Sequence, residues 1–168
     1  MRPASSYRVR RATSADIGGV LRCLQEAFEP YREDYTAAAF EDTVPGLSGI
    51  EKRLTTMMCF VAIESNGEIV GTISAQFLNR TEGHLRGMAV RPAWQGTEVA
   101  ALLLSEAVEA LCSADCREVT LDTTRPLARA IRFYERHGFV ATGGVQDFFG
   151  MPLFEYRKVV ASAEDHER

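Results

Sequence analysis

Apolar and polar residues in the first third of the chain follow two different periods. Positions 7–11 alternate residue by residue, which is typical of a half-buried strand. The apolar residues of 17–28 have helical spacing, and Pro30 ends that helix. The segment that follows is less regular and predicts one or two short helices, near 37–41 and 50–57.

The middle of the chain predicts three strands and then a long helix. Segments 59–63 and 69–77 have the composition of strands and flank an Asn-Gly pair at 66–67, which is the strongest short hairpin signal. A third strand is expected over 84–90. The apolar residues of 99–111 then recur at the spacing of one helical face.

The last third predicts a strand, a helix and two closing strands. A short strand is expected over 119–122, and Pro126 suits the first turn of a helix that ends at about Gly138. The closing strands are expected over 139–141 and 154–160. The element order, β-α-α-β-β-β-α-β-α-β-β, predicts an α+β fold: a mixed, mostly antiparallel sheet flanked by helices.

Length and composition indicate an ordinary globular protein. The chain has 168 residues without a linker or repeat, which predicts one domain over 1–168, with its core at about 7–160 and loose polar ends. A net charge of −4 argues against nucleic-acid binding, whose footprint is basic. The apolar runs fall far short of the roughly 20 residues that cross a bilayer, and no secretory signal is evident. We therefore expect a cytoplasmic protein that binds neither nucleic acid nor membrane.

The four cysteines and three histidines do not form a metal-ligand pattern. None of the cysteines belongs to a CxxC pair, and the histidines are scattered along the chain. Cys112 and Cys116 have the i,i+4 spacing of a helix, but a reduced, partly buried pair is the simpler interpretation. We expect free thiols, which suit a reducing compartment, and no bound metal.

Candidate chemistry is concentrated in segment 85–104, LRGMAVRPAWQGTEVAALLL, which predicts a strand, a glycine-containing turn and the start of an apolar helix. A helix start offers unpaired N–H groups and the positive end of the helix dipole, and this geometry binds phosphate. The segment lacks the GxxxxGK(S/T) motif of a P-loop and the GxGxxG motif of a dinucleotide site. It therefore predicts a pyrophosphate site of another type.

Two motifs resemble those of the GNAT (GCN5-related N-acetyltransferase) family. Segment 90–100, VRPAWQGTEVA, resembles motif A, whose loop is Q/R-x-x-G-x-G/A. Segment 130–139, AIRFYERHGF, resembles motif B, A-I-x-x-Y-x-x-x-G-F. The two motifs occur in the order and at the spacing of the family, and the predicted elements agree with its fold from Tyr7 to Val160.

The resemblance implies a site for acetyl-CoA as cosubstrate. In the family, backbone groups of the motif A strand hold the pantetheine arm in a gap of the sheet, which places Met88, Ala89 and Val90 against it. The loop that follows holds the pyrophosphate through its N–H groups. By position this loop comprises Gln95, Gly96, Thr97, Glu98, Val99 and Ala100, and two further cofactor positions are Leu127 and Tyr134.

The resemblance also implies candidate catalytic residues. Tyr134 occupies the position of the usual general acid, and a phenol can share its proton with the thiolate that leaves. His84 falls where many relatives have a glutamate base, and imidazole suits that work near neutral pH. An edge-of-strand histidine without a catalytic part explains His84 equally well. Glu82, on the same strand face, is the reserve candidate, acting through a water molecule.

Two positions depart from the family pattern. Glu98 replaces a glycine, and a carboxylate in the first turn of a helix stabilises it by about 0.3–1 kcal/mol. Its side chain either points away from the ligand or competes with the pyrophosphate for the same positive helix end. Leu127 replaces an asparagine that contacts pantetheine, and losing one polar contact costs on the order of 1 kcal/mol. These departures motivate an alternative hypothesis, a non-catalytic acyl-CoA-binding module.

The resemblance places the acceptor beside the first helices. Phe28, Tyr31 and Tyr35 are the candidate substrate residues, with Phe148 and Phe149 in a late turn, although packing accounts for each of them as well. We predict direct acetyl transfer in a ternary complex to a primary amine of a small molecule or peptide. The acceptor stays open, and a homodimer that pairs the C-terminal strands is a further expectation.

Overall fold

The computed structural model describes residues 7–160, and the loose ends predicted at 1–5 and 161–168 lie outside the described residues. In chain order the elements are β1 (Arg8–Arg11), α1 (Ile17–Phe28), α2 (Ala37–Thr43), α3 (Leu47–Thr56), β2 (Met58–Ile63), β3 (Ile69–Phe77), β4 (Glu82–Val90), α4 (Val99–Ser113), β5 (Glu118–Thr123), α5 (Ala128–Arg136), β6 (Val140–Phe148) and β7 (Met151–Val159). This is the predicted order, with two short helices in the irregular segment.

One seven-stranded sheet organises the described chain, in the order β1-β2-β3-β4-β5-β7-β6. Strands β4 and β5 run parallel, and the other neighbouring strands are antiparallel. The parallel pair needs a long crossover connection, which α4 supplies. The predicted fold class, a mostly antiparallel sheet flanked by helices, is confirmed.

The sheet opens between β4 and β5. Their ladder extends only from Glu82 opposite Glu118 to Leu85 opposite Leu121. The second half of β4 therefore has no strand partner on that side within residues 7–160. The result is a gap near the middle of the sheet, at the end of the ladder where α4 begins.

A β-bulge in β4 lies at the start of this gap. Ser74 of β3 pairs with Arg86, but Thr72 pairs with Ala89, so that β4 has one residue more than β3 over this stretch. Gly87 has a φ of +64°, which glycine adopts without the steric cost of a side chain. A bulge bends its strand, and here the bend coincides with the opening between β4 and β5.

Helices cover both faces of the sheet and bury two apolar clusters. The buried residues of α4 are Val99, Leu103, Leu104, Ala107 and Leu111. This helix approaches β3 closely, because a Cβ at Gly71 would lie 2.7 Å from Leu103 Cδ1. The second cluster, formed with α1, α2 and α3, includes Leu24, Phe28, Phe40 and Ile50. Burial of these side chains is the main stabilising contribution to the fold.

The two strands of the C-terminal hairpin have other bounds than predicted. Strand β6 ends several residues after the expected 139–141, and strand β7 begins several residues before the expected 154–160. Strand β6 is exposed along nearly its whole length and has a register shift beside Gly143, whose φ is +87°. Its residues therefore show no alternation, and its glycines resemble a turn. The true turn is at Phe149 and Gly150, next to the predicted late turn at Phe148 and Phe149.

Three smaller differences concern the ends of elements and the edge of the sheet. Helix α5 begins at Ala128 instead of Pro126, because Leu127 closes a turn onto the Thr124 carbonyl at 3.2 Å. Strand β4 begins two residues earlier than expected, at Glu82. Strand β7 lies between β5 and β6, so it cannot pair with a second copy as expected, and the homodimer stays a prediction.

No helix within residues 7–160 is long and apolar enough to cross a membrane.

Candidate functional site

A cavity of about 600 Å³ lies at the gap between β4 and β5 and extends from the start of α4 to the aromatic side chains near α1. The predicted site residues that line it are Phe28, Tyr31, Tyr35, His84, Met88, Ala89, Val90, Gln95, Gly96, Thr97, Ala100, Leu127 and Tyr134. Glu82, Glu98 and Val99 are not among its lining residues. The structure therefore brings most of the predicted site together.

The turn before α4 forms one end of the cavity. Gly96 has a φ of +78°, which favours glycine. The Thr97 hydroxyl donates to the Trp94 carbonyl at 2.5 Å and accepts from the Val99 N–H at 3.4 Å, which holds the turn in place. The first amides of an α-helix have no partner inside the helix. The small side chain of Ala100 lines the cavity here, so a ligand can approach these amides.

The edge of β4 directs backbone groups into the gap. The Arg91 N–H donates to the Val70 carbonyl of β3 at 2.9 Å. Because successive N–H groups of a strand point to alternate sides, the N–H of Val90 points away from β3, into the gap. The Val90 carbonyl accepts from Gln95 Nε2 at 3.0 Å, which connects the strand to the turn. Val90 thus offers a donor to the carbonyl of a ligand.

Tyr134 projects from α5 toward the gap, and its hydroxyl lies 3.4 Å from the sulfur of Met88. Its ring packs edge-on against Phe133 and Phe139, with centroids 5.6 and 5.9 Å apart. Burial raises the pKa of Tyr134 well above that of an ordinary phenol, so the hydroxyl is protonated at neutral pH. A thioether is a weak acceptor, and the hydroxyl can donate to a ligand instead.

His84 is held by two side chains of β5. Its Nδ1 lies 2.8 Å from Thr120 Oγ1, and its Nε2 lies 3.3 Å from a carboxylate oxygen of Asp122. His84 stands opposite Thr120 in the parallel ladder, and Asp122 is two residues further along the same sheet face. Because the hydrogen bond to Thr120 holds Nδ1, Nε2 is the nitrogen that can accept a proton, with the Asp122 carboxylate beside it.

Glu82 lies outside the cavity. Its carboxylate accepts from Asn79 Nδ2 at 3.3 Å, in the turn that precedes β4. Although Glu82 and His84 share a strand face, only His84 lines the cavity. The geometry therefore favours His84 over Glu82 as the base.

The two departures from the family pattern have different surroundings. Glu98 is an exposed residue at the N-cap of α4 and does not line the cavity, in agreement with the interpretation that it points away from a ligand. Leu127 lines the cavity and packs against the apolar cluster of α1–α3, so it offers an apolar wall where relatives have a polar group. Val99 is the first residue of α4. Its side chain is fully buried, so only its backbone can contribute to the turn.

Aromatic side chains form the other end of the cavity. Tyr35 is buried, its hydroxyl lies 2.6 Å from Thr124 Oγ1, and its ring meets that of Phe28 edge-on. Burial raises the pKa of Tyr35, so its hydroxyl is uncharged at neutral pH. Phe148 also lines this end, whereas Phe149 is 52% exposed in the β6–β7 turn and lies outside the cavity.

Several polar residues of the cavity were not predicted from the sequence, namely Asp42, Arg53, Arg86, Asp122 and Thr123. Thr123 is 3% exposed, and its hydroxyl has no hydrogen-bond partner in the described part of the chain. Two signals were present in the sequence. Arg53 stands on the helix face of the buried Ile50, and Asp122 lies on the same face of its short strand as Thr120. The alignment of one strand with the next was not readable from the sequence.

The cysteines take no part in the cavity. Cys23, Cys59, Cys112 and Cys116 are free thiols, and burial raises the pKa of each of them, so none is activated as a nucleophile. Within residues 7–160, no group of three or more His, Cys, Asp or Glu side chains is arranged to hold a metal.

Comparisons with known sequences identify similar proteins. The profile of the Acetyltransferase (GNAT) family matches residues 20–139. The chain is 30% identical over 158 residues to the aminoglycoside N(6′)-acetyltransferase type 1 of Stenotrophomonas maltophilia, covering 89% of this chain and 96% of that one. It is 27% identical over 109 residues to N-alpha-acetyltransferase MAK3 of Arabidopsis thaliana, covering 62% and 57% of the two chains.

A comparison with solved structures agrees on the fold. The PaiA N-acetyltransferase of Thermoplasma acidophilum, in complex with coenzyme A, matches with a TM-score of 0.77 at 17% identity. The match covers 92% of this chain and 99% of that one. At this identity the likeness concerns the fold alone.

Proposed function

The chain belongs to the acetyltransferase (GNAT) family, and on that basis we propose that it transfers the acetyl group of acetyl-CoA directly to a primary amine in a ternary complex. One observation carries the proposal. A single cavity joins the turn before α4, the gap between β4 and β5, and the aromatic end near α1. Two reactants that enter from opposite ends can meet in the gap, and holding them there supplies much of the rate enhancement.

The residues of the cavity fit acetyl-CoA. The amides of Gly96 and Thr97 would hold the pyrophosphate, as helix starts commonly do, whereas the amide of Gln95 already donates to the Pro92 carbonyl. The N–H of Val90 and the unpaired hydroxyl of Thr123 are polar groups for the thioester and the pantetheine arm. Leu127 would contact the arm through its apolar surface. When bound, acetyl-CoA supplies an activated acetyl carbon.

The Nε2 of His84 removes a proton from the acceptor amine, while the hydrogen bond between its Nδ1 and Thr120 Oγ1 keeps the imidazole in position and Asp122 lies beside Nε2. The amine nitrogen forms a bond to the acetyl carbon, and the bond from that carbon to sulfur breaks. The N–H of Val90 donates to the carbonyl oxygen and stabilises the negative charge that develops on it. The proton lost by the amine passes through His84 to solvent.

Tyr134 donates its hydroxyl proton toward the departing sulfur. A thiol has an ordinary pKa of about 8.5, so complete proton transfer from a phenol of raised pKa is uphill. The larger contribution of Tyr134 is therefore a hydrogen bond to the charge that develops on sulfur. The acceptors named for two relatives, an aminoglycoside and an N-alpha amine, support an amine substrate, either a small molecule or a peptide.

Replacing Tyr134 tests the proposal. We expect Tyr134→Phe to lower kcat by roughly 10- to 1000-fold, because the variant loses the hydrogen bond to sulfur. Thiol release and mass spectrometry across an amine panel measure the rate, and calorimetry measures the affinity for acetyl-CoA, which should change little. Tyr156→Phe, a partly buried tyrosine outside the cavity, is the matched control.

Two results would count against this proposal, the first against the role of Tyr134 and the second against the transfer itself. Undiminished turnover by the Tyr134→Phe variant would remove Tyr134 from the mechanism. Binding of acetyl-CoA by the wild-type protein without acetylation of any amine would support the acyl-CoA-binding module instead.

A further inference from the structure

Arg53 is a buried cation at the acceptor end of the cavity. Helix α3 holds it at 9% exposure, and its Nη2 donates to the backbone carbonyl of Asp42 at 3.0 Å. A Cβ at Gly87 would lie only 2.9 Å from Arg53 Nη1, so the guanidinium rests against the bulge of β4. Arg53 thus lies beside the point where the sheet opens, and it lines the cavity.

The charge of Arg53 is poorly balanced by its neighbours. The carboxylate of Asp42 is bound by Arg86, whose Nη2 lies 2.8 Å from it, while Arg53 receives only the neutral carbonyl of the same residue. Burial, and to a smaller extent the positive charge of Arg86, lower the pKa of Arg53 to about 10, and attraction to Asp42 offsets them only in part. Arg53 is nevertheless protonated at neutral pH. A buried cation of this kind is costly to the fold, and a site of this sort is suited to an anionic ligand.

We propose that the acceptor carries a carboxylate as well as its amine, as an amino acid does, and that Arg53 and Arg86 bind this carboxylate. The inference rests on the proposed acetyl transfer and names the substrate class of the same site. A guanidinium binds a carboxylate through two parallel hydrogen bonds, which gives orientation as well as affinity.

The spacing along β4 agrees with such an acceptor. His84 and Arg86 lie two residues apart on the same face of the strand, before the bulge. Their Cα atoms are therefore about 7 Å apart. Both residues line the cavity, so one small acceptor can meet both with its two ends. When Arg86 binds the carboxylate, the amine therefore lies near the imidazole of His84.

The remaining walls indicate which acceptors fit. Phe28, Tyr35 and Phe148 offer apolar aromatic surface to the side chain of an amino acid. Arg53 and Arg86 outnumber the carboxylate of Asp42 at this end, which disfavours a polycationic acceptor such as an aminoglycoside because like charges repel at close range.

Matched pairs of acceptors test the inference. Acetylation by acetyl-CoA is measured by mass spectrometry. Each amino acid is compared with the amine that lacks its carboxylate: L-phenylalanine with 2-phenylethylamine, L-leucine with isoamylamine, and L-lysine with cadaverine. Kanamycin is the polycationic acceptor. We expect at least one amino acid to be acetylated with a kcat/KM about tenfold or more above that of its decarboxylated amine. Preference for the decarboxylated amines or for kanamycin overturns the inference and leaves the acetyl transfer intact. No acetylation at all, with acetyl-CoA bound, overturns the proposed function and this inference with it.

Substitution of the two arginines provides the second arm. We expect Arg53→Gln to reduce the ratio of kcat/KM between amino acid and decarboxylated amine by about tenfold or more, and Arg53→Lys to retain part of it. The ratio is independent of the fraction of protein that is folded. Arg86→Gln, at a side chain that is 34% exposed, repeats the test at a position that tolerates change better. Arg22→Gln, on the exposed face of α1, is the control. An unchanged ratio in both Arg53→Gln and Arg86→Gln overturns the inference.

Discussion

The carboxylate of Asp122 lies beside the imidazole of His84. Asp122 lies 3.3 Å from the Nε2 of His84, and Thr120 holds the other ring nitrogen. We predict that Asp122→Asn lowers kcat by about 10- to 100-fold, because the carboxylate no longer faces the ring nitrogen that accepts the proton of the amine. Steady-state kinetics with a productive amine measures the effect, and Asp147→Asn, in the exposed strand β6, is the control. Equal rates for wild type and Asp122→Asn would mean that Thr120 is sufficient to position His84.

Asp16 makes the stability of the fold depend on pH. It is 6% exposed, and its carboxylate accepts from Arg10 Nη1 and from the Thr13 N–H, both at 2.7 Å. The hydrogen bond from Arg10 holds the pKa of Asp16 below its ordinary value. The charged carboxylate therefore stabilises the folded state above pH of about 4, and this contribution is lost as the pH falls through the lowered pKa.

We predict that Asp16→Asn lowers the free energy of unfolding by about 1–2 kcal/mol at pH 7 and by much less near pH 3. Urea denaturation at both pH values measures the difference, with Asp34→Asn as an exposed control. An equal loss at pH 7 and pH 3 would show that packing, and not charge, gives Asp16 its effect.

The turn between β4 and α4 depends on a conformation that glycine adopts easily. Gly96 has a φ of +78°, and a Cβ there would lie 3.2 Å from Arg129 Nη2. We predict that Gly96→Ala weakens acetyl-CoA binding about tenfold, because the strain of about 1–2 kcal/mol shifts the amides that face the pyrophosphate. Gly67→Ala is the control, since Gly67 has a φ of +88° in the β2–β3 hairpin with open space around it. Calorimetry with equal affinities for both variants would contradict the prediction.

The elements that the sequence predicted correctly have strong local signals. Helices α1 and α4 have clear apolar faces, and the Asn-Gly pair marks the turn between β2 and β3. Strand β6 has no such signal, because both of its faces are exposed and it contains two adjacent glycines. Its strand conformation depends on pairing with β7, which is a tertiary contact that no local pattern records.

Across the whole molecule, the gap divides the sheet into two parts, β1–β4 and β5–β7, which are joined by the short β4–β5 ladder. A CoA thioester bound between Val90 and Thr123 adds contacts across this division. We predict that acetyl-CoA at 100 times its Kd stabilises the protein by about 2.7 kcal/mol. We also expect it to slow hydrogen exchange in segment 86–90 more than in the hairpin turn at Gly67. Thermal denaturation and hydrogen-exchange mass spectrometry measure the two effects, and unchanged exchange in 86–90 would place the ligand elsewhere.

The sequence by itself determined the order of the elements, the fold class and the position of the turn before α4, because these depend on residues close together in the chain. Tyr134 and the turn at 95–97 could be named for the same reason, since each belongs to a contiguous motif. The acceptor side was decided by the tertiary structure. Asp42, Arg53, Arg86 and Asp122 come from four separate elements, and they meet because of the parallel register of β4 and β5, the packing of α3, and the bulge at Gly87. Cross-strand register and helix docking arise from the summed packing of the core, which a local sequence pattern does not contain.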